Sequence, residues 1–561
     1  MAYNLPKDLE EFRKVVRNFA EEKVKPLAFH FDQTKEFPAA IVEEMGKMGL
    51  LGIPFDEKYG GAGLTNEHYA IAVEELSRVD GGVGVICSAH TSLGTWGISE
   101  FGTEEQKEKY LRPLVDGTQI GGFGLTEENA GSDSAETETT AVDKGDHYLL
   151  NGKKIFITNA PKAQTYLVTA VTDPGKGNHG ISMFIVDKDF EGFTFSEPYD
   201  KLGIRSSITA ELHFRNVKVP KENLLGELNK GFKYAMMILD GGRIGIASQA
   251  LGIAQGAYES ALDYSMNRVQ FGKAVGRFQY NQFKLAQMAT ELKAARLLVY
   301  DAAKKKDAHV KGYGKDAAMA KLYASDLAER LTSETLQLYG GSGFIKGSDV
   351  ERFYRDAKIT QIYEGTNEIM KLVIAGYILP KPPKKEVKQE KVVKKEEVGG
   401  RKKVIFTGDE KEVAKKLVEA LTADGYRLKA DPVDLEGSID DANRVVAVGM
   451  GLGEIQNLEI AKKLANVTGS VLGSSRPAAA VRKYVPLQQY IGQSGRKFKG
   501  ELYMGIGISG AGQHLRGIED AKTVVVINND EAAPFFKNCD YGIVGDFHKV
   551  LPALIEEIEK L

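Results

Sequence analysis

Two short runs hold the residues whose types and spacing could do chemistry. The first, QIYEGTNE (Gln361–Glu368), sets one carboxylate, Glu364, directly before a glycine and a threonine. A carboxylate becomes a useful base when burial raises its pKa toward neutrality, yet most glutamates are exposed loop residues. The second, GISGAGQH (Gly507–His514), is glycine-rich and follows an apolar run. Such a strand-to-helix turn presents backbone N–H groups to an anion. A lone glycine turn is a weak signal, and GMGLG at Gly449–Gly453 is weaker still. Taken singly, His514 reads as a structural histidine and Arg476 as an exposed guanidinium. Asp240 and Arg243, three apart on a helix, read as a surface ion pair, and Thr126, Ser132 and Thr158 as ordinary turn and strand residues.

The elements that must position these residues fall into distinct stretches. Residues 1–120 carry apolar residues near helical spacing (Leu9, Phe12, Val16, Phe19, Val24), which predicts a helical domain. Residues 121–225 break into short β-branched and aromatic runs such as YLLNGKKIFITNA and TAELHFRNVKVP, the pattern of an antiparallel β-domain. Residues 226–379 return to long helical periodicity, predicting antiparallel helices in a bundle. Then comes PKPPKKEVKQEKVVKKEEVGG, residues 380–400, whose isolated valines can bury little and whose prolines stop the preceding helix. Read as a flexible linker, it spans up to about 60 Å at roughly 3.1 Å per residue. Residues 401–561 alternate strand and helix (KKVIFT, EKEVAKKLVEALTADG, RVVAVGMG, LEIAKKLANVTG, GSVLG, ELYMGIGIS, KTVVVIN, KVLPALIEEIEKL), predicting a doubly wound, mostly parallel sheet.

Bulk properties exclude several classes. At 561 residues the chain needs two to four domains. Its net charge of -3 offers no basic face for nucleic acid, and the lysines near the linker are mixed with glutamates. The two cysteines, Cys87 and Cys539, argue against a disulfide framework or a cysteine-built metal site, so no metal is expected. The N-terminus lacks an apolar signal core, and no apolar stretch approaches the ~20 residues of a membrane span. The expectation is a cytoplasmic, soluble protein without a membrane span.

Six motifs in order make residues 1–379 resemble the acyl-CoA dehydrogenase family: GLTEENAGSD (Gly124–Asp133), IFITNA (Ile155–Ala160), LDGGR (Leu239–Arg243), RVQFG (Arg268–Gly272), QLYGGSGF (Gln337–Phe344) and RDAKITQIYEGTNE (Arg355–Glu368). The resemblance is greatest to short-chain, butyryl-type members. It implies a helical domain, a β-domain and a four-helix bundle that together hold FAD and an acyl-CoA. Glu364 would be the base that removes the proton α to the thioester, with Ser132, Asp240, Arg243 and Gly365 at the substrate. Some family members carry the base beside the LDGGR arginine; here that neighbour is Gly242, which favours Glu364. Leu125, Thr126, Phe156, Thr158, Arg268, Phe271, Gln279, Gln337, Gly341, Thr366 and Asn367 would hold FAD, some across a subunit boundary, which implies a homo-oligomer, a dimer of dimers. Departures at Glu128, Glu136 and Gly347 fall on no reacting position.

Residues from about 440 onward resemble the C-terminal FAD domain of the electron-transfer flavoprotein α subunit, through GSSRP (Gly473–Pro477), IGQSG (Ile491–Gly495), LYMGIGISGAGQHLRG (Leu502–Gly517), VVVIN (Val524–Asn528) and DYGIVGD (Asp540–Asp546). The resemblance implies a second FAD held by Ser475, Arg476, Gly492, Gln493, Ser494, Ser509, Gly510, Gln513, His514, Asn528 and Asp546. The half that packs against a β subunit is missing or reduced to residues 401–439, so an electron-transfer flavoprotein β-like or other redox partner stays an open expectation. The combined expectation is a short-chain acyl-CoA dehydrogenase that passes electrons to a tethered FAD domain, with two FAD per chain. An enoyl-CoA reductase working in reverse with an external, bifurcating flavoprotein is one alternative. An electron-transfer or assembly protein with a vestigial catalytic half is another.

Overall fold

The computed structural model describes residues 5–379, 394–395 and 403–561, and the chain forms two compact units, Met1–Pro382 and Pro383–Leu561. The expected linker, Pro380–Gly400, lies outside the described residues apart from Lys394–Lys395, a two-residue strand antiparallel to Val404–Thr407.

The first unit opens with short helices from Lys7–Phe19 to Arg112–Val115. One of them, Gly81–Ala89, is capped by the Asp80 carboxylate, which accepts from the backbone N–H groups of Gly82 and Val83. It runs on through a π-helical turn, His90–Thr95, that carries Leu93. A seven-stranded sheet follows, ordered Gly121–Gly124, Thr165–Val171, Thr140–Asp143, His147–Thr158, Thr209–Pro220, Phe193–Phe195, with Ile181–Asp187 also on Thr165–Val171. Most pairings are antiparallel, as the alternating runs predict. Gly121–Gly124 instead lies parallel to Thr165–Val171, and Thr140 pairs parallel with Val171. Residues 125–164 separate Gly121–Gly124 from Thr165–Val171, so no hairpin sets their direction.

The long helical stretch forms three helices, Gly231–Asn267, Gln279–Asp307 and Tyr313–Tyr339. Asp349–Ile359 packs across the first and third as a fourth, and Asn367–Ile378 packs on the third. An alanine-rich face (Ala317, Ala320, Ala324, Ala328) lets the third helix approach its neighbours closely and bury its inner stripe.

In the second unit seven strands run parallel in the order Val404–Thr407, Tyr541–Val544, Thr523–Asn528, Leu502–Ile506, Arg444–Val448, Val471–Ser475, Tyr490–Ile491. Alternate residues serve two cores. Val446, Val448, Met504, Val525 and Ile527 pack in the core that includes Glu410–Ala423, Leu458–Thr468 and Phe547–Glu559 residues. Val445, Ala447, Tyr503, Val524 and Val526 pack with Phe498 and with Phe535 and Phe536 of the 3-10 turn Pro534–Asn538 in a second core. After Arg444–Val448 the chain continues to one side of the sheet and after Leu502–Ile506 to the other. The crevice at their carboxyl ends is therefore a topological switch point, where ligands bind in open parallel sheets. Among the described residues of both units, no helix is long and apolar enough to cross a membrane.

Candidate functional site

Glu364 sits in the turn between Asp349–Ile359 and Asn367–Ile378, with φ of +50° at Glu364 and +95° at Gly365. A non-glycine residue in that region stores strain, which the surrounding structure must hold. The turn aims the carboxylate inward: a Cβ placed on Gly242 would lie 2.2 Å from Glu364 Oε2, with Leu93 Cδ2 at 2.9 Å. Oε2 is shut off from solvent and has no hydrogen-bond partner. Burial pushes the Glu364 pKa up to about 8, against the opposing charges of Lys321 and Arg243. A carboxylate with one oxygen unsolvated and unpartnered and a pKa near neutrality has the properties a general base requires.

Two cations fix the surroundings. Lys321, fully buried, donates to the Gly365 carbonyl (2.8 Å) and to Asn367 Oδ1 (2.9 Å), and burial holds its ammonium down at about 8 while Glu364 pulls it up. Asn367 in turn donates to Ser325 Oγ and Asp326 Oδ1, so its side chain holds the turn rather than facing outward, and Thr366 caps the next helix through its hydroxyl. Arg243 pairs with Asp240, whose pKa burial raises against the pull of that arginine. Sequence reasoning missed Lys321, although a lysine on an otherwise alanine-lined buried face was a readable signal.

The β-domain brings Leu125 and Thr126 beside Phe156 and Thr158, because the Thr126 carbonyl accepts from Ile155 N–H at 2.9 Å. Phe156 lies at a register shift, with φ of +59° and its ring 61 % exposed. Bulges re-aim side chains in this way. Ser132 lies exposed on the loop that follows. Underneath, Lys154 donates to Glu127 Oε1 (2.6 Å) and to the Leu125 carbonyl (3.0 Å), and Glu127 accepts from the backbone of Glu138 and Thr139. Burial holds Lys154 at about 8 despite Glu127's charge. Replacing Lys154 by Met strands Glu127 as a buried charge, with an expected loss of about 3–5 kcal/mol, while K154M/E127L recovers much of it. Urea unfolding followed by Trp96 fluorescence checks this, because the chain's one tryptophan lies in the first unit.

The remaining first-unit residues lie elsewhere. Arg268, Phe271, Gln279, Gln337 and Gly341 are all exposed, Phe271 at 93 %. They gather at one end of the bundle, where Tyr264 stacks on Tyr339 at 4.0 Å between the ends of their two helices. They form a surface on this chain, not part of the Glu364 enclosure.

In the second unit a cleft of about 320 Å³ opens at the switch point. Nine of the eleven expected residues line it: Ser475, Arg476, Gly492, Gln493, Ser494, Ser509, Gln513, His514 and Asn528. Gly510 backs the same turn with φ of +83°, and a Cβ there would meet the Phe535 backbone at 2.5 Å. Asp546 lies outside the cleft lining, where its carboxylate caps Phe547–Glu559 by accepting from His548 N–H. The cleft offers an arginine, several amides and hydroxyls, and a buried His514 Nδ1 with no partner. That donor set suits a polar, anionic cofactor such as FAD, and the unpartnered carboxylate and hydroxyl-bearing edge of the first unit suit a flavin beside a reacting carbon acid.

The comparisons with known proteins agree with this division. Profiles of the acyl-CoA dehydrogenase N-terminal, middle and C-terminal domains match residues 6–118, 122–217 and 229–379. The electron transfer flavoprotein FAD-binding domain matches residues 438–519. The short-chain specific acyl-CoA dehydrogenase of Clostridium acetobutylicum is 53% identical over 378 residues, covering 67% of this chain and 100% of that protein. A 3-(aryl)acrylate reductase of Clostridium sporogenes is 47% identical over 370 residues, 66% of this chain and 98% of its own. The butyryl-CoA dehydrogenase structure from Megasphaera elsdenii superposes with a TM-score of 0.66 at 49% identity, covering 68% of this chain and 100% of that one.

Proposed function

We propose, since the chain belongs to the acyl-CoA dehydrogenase family and carries an electron transfer flavoprotein FAD-binding domain, that it oxidises a short-chain acyl-CoA to its trans-2-enoyl-CoA and passes the electrons to a second FAD on its own fused domain. The observation that carries the catalytic part is Glu364 Oε2, shut off from solvent, unpartnered and seated over Gly242. When bound, FAD in the first unit supplies the hydride acceptor for the substrate β-carbon. The chain's own residues do the rest. Glu364 Oε2 takes the α-proton, Lys321 and Asn367 hold the turn that carries it, and Leu93 and Gly242 leave it unsolvated. Thr126, Phe156 and Thr158 form the adjoining wall for the cofactor.

The exposed end of the bundle, with Phe271, Phe344 and Ile345, supports an assembly in which a second copy completes the cofactor site. Cys87 and Cys539, both buried and neither in a disulfide, support a reducing, cytoplasmic setting. A tethered acceptor reaches an effective concentration of order mM without a strong docking surface, which leaves it free to meet an external redox partner. The reductive direction is favoured by one observation, the likeness to a 3-(aryl)acrylate reductase.

Flavin stoichiometry combined with anaerobic butyryl-CoA titration tests the relay. The expected result is two FAD per chain, both reduced by substrate. One FAD per chain, or a second flavin that substrate leaves oxidised, would exclude intramolecular transfer.

A further inference from the structure

The backbone of Gly121, on the strand Gly121–Gly124, is held by two buried side chains. Its N–H donates to His90 Nδ1 at 3.0 Å, and its carbonyl accepts from Asn159 Nδ2 at 3.2 Å. Each partner leads to one side of the first unit's site. His90 opens the π-helical turn His90–Thr95, which carries Leu93. Leu93 Cδ2 and Glu364 Oε2 lie 2.9 Å and 2.2 Å from where a Cβ on Gly242 would stand, so the two are neighbours. Asn159, with φ of +68°, directly follows His147–Thr158, the strand that carries Phe156 and Thr158. His90 and Gly94 are four apart and share a helix face against Gly121. A Cβ on Gly94 would lie 2.6 Å from the Gly121 carbonyl carbon, so the two backbones touch. A π-turn fits an extra residue into a helix and recurs at functional sites. Here it lets Leu93 reach the base while His90 and Gly94 stay on Gly121. Burial keeps the His90 imidazole neutral, with its pKa down at about 4. The Gly121 N–H occupies Nδ1, so the ring proton sits on Nε2, and the nearby Leu51 and Leu114 carbonyls favour that proton.

We propose that Gly121 is the joint of a clamp across the reaction site: through His90 it holds the turn that carries Leu93 beside the base, through Asn159 it holds the end of the strand that carries the cofactor wall, and the two bonds together fix the gap between those sides. His90 and Asn159 are positioning residues that act through Gly121. This rests on the reading of Glu364 as the base and of Thr126, Phe156 and Thr158 as the cofactor wall. The α-proton and the β-hydride leave one substrate in the same dehydrogenation, so base and acceptor must stand at a set separation. A misplacement of about 1 Å at such a site costs about 10²-fold. His90 and Asn159 lie 31 and 38 residues from Gly121 in sequence, and the fold alone brings the three together.

The test uses the full chain, with and without flavin, as wild type, His90→Leu, His90→Asn, Asn159→Gly and the double variant His90→Leu/Asn159→Gly. Leucine removes the acceptor, an asparagine amide oxygen restores it, and glycine keeps the left-handed backbone at 159 while removing the amide. Hydrogen exchange, read peptide by peptide, should show transmission across the joint. Asn159→Gly should speed exchange in His90–Thr95, His90→Leu should speed it in Phe156–Thr158, and His90→Asn should restore the wild-type pattern. In butyryl-CoA turnover each of His90→Leu and Asn159→Gly should lower kcat about tenfold, less than a full 1 Å displacement would, with KM little changed. The double variant should lose no more than either one, because the two bonds act in series. Exchange that rises only on the mutated side, an unmoved kcat, or losses that multiply in the double variant would each overturn the clamp. If His90→Leu does not fold, exchange in His90–Thr95 and kcat of Asn159→Gly decide alone. Glu364→Gln separates this from failure of the underlying reading. Full flavin bleaching by substrate in that variant sinks the base, whereas lost bleaching there with an unmoved kcat in Asn159→Gly sinks the clamp alone.

Discussion

Glu364→Gln is expected to abolish dehydrogenation, lowering kcat/KM for butyryl-CoA by about 10³-fold or more, at the upper end of what a positioned general base contributes. The amide is isosteric and neutral, so it keeps the turn and the bound FAD but cannot take a proton. Anaerobic stopped-flow bleaching of the flavin measures the loss, and unchanged FAD content shows that the site still assembles. A variant that still bleached at the wild-type rate would remove Glu364 from the mechanism. The pH dependence follows from the same carboxylate. Its pKa is raised from 4.5 to about 8, by burial first, with Lys321 and then Arg243 pulling it down. The base works ionised, so kcat/KM should rise with pH and level off above about 8. Stability runs the other way. Between pH 4.5 and 8 the unfolded chain has released the Glu364 proton and the folded one retains it, so folding stability falls as pH rises through that window. Glu364→Gln should flatten this part of the stability profile of the first unit, read again through Trp96.

What could be read without coordinates followed a physical pattern. Local signals survived best. The β-branched runs of residues 401–561 became parallel strands, and the glycine turn at Gly507–Gly510 became a wall of the cleft, because strand burial and positive φ are properties of a few adjacent residues. The motif around Glu364 marks it as the expected base, yet nothing in QIYEGTNE shows that its Oε2 would be unpartnered; that depends on Gly242 and Leu93, both more than 100 residues away. The same holds for Lys321, whose acceptors Gly365 and Asn367 lie more than 40 residues on. Polar side chains that the motifs mark as ligand contacts can also be taken up by the fold. Thr366 and Asp546 became helix caps, and Asn367 became a brace, because the first turn of a helix competes for any nearby side-chain acceptor. The parallel placing of Gly121–Gly124 was invisible for a related reason: direction is set by the long excursion between strands, not by residues within them.

Gly242→Ala is expected to cost about 10²-fold in kcat while leaving the fold intact, and the contrast between those two readouts is the point of the experiment. A Cβ at this position would stand 2.2 Å from Glu364 Oε2, 3.2 Å from its Cδ and 2.9 Å from Leu93 Cδ2. None of these atoms is backbone, and the carboxylate is the far end of a flexible side chain, so the clash is relieved by a swing of Glu364 rather than by a shift of the helix. Alanine inside Gly231–Asn267 also gains about 1 kcal/mol of helix propensity over glycine, which offsets the local crowding. The urea midpoint should therefore stay close to wild type. The group that moves, however, is the one that must meet the α-proton, and a misplacement of about 1 Å suffices for a 10²-fold loss. Gly376→Ala, inside Asn367–Ile378, is the control, since a Cβ there meets nothing within 4 Å: it should leave turnover unchanged and raise stability by up to about 1 kcal/mol. Full turnover in Gly242→Ala would mean that the base does not work from the position over Gly242; a collapsed urea midpoint would mean that this glycine serves packing and not the freedom of the carboxylate. Retained stability with lost turnover is the outcome that ties the second glycine of LDGGR to the glutamate of YEGT.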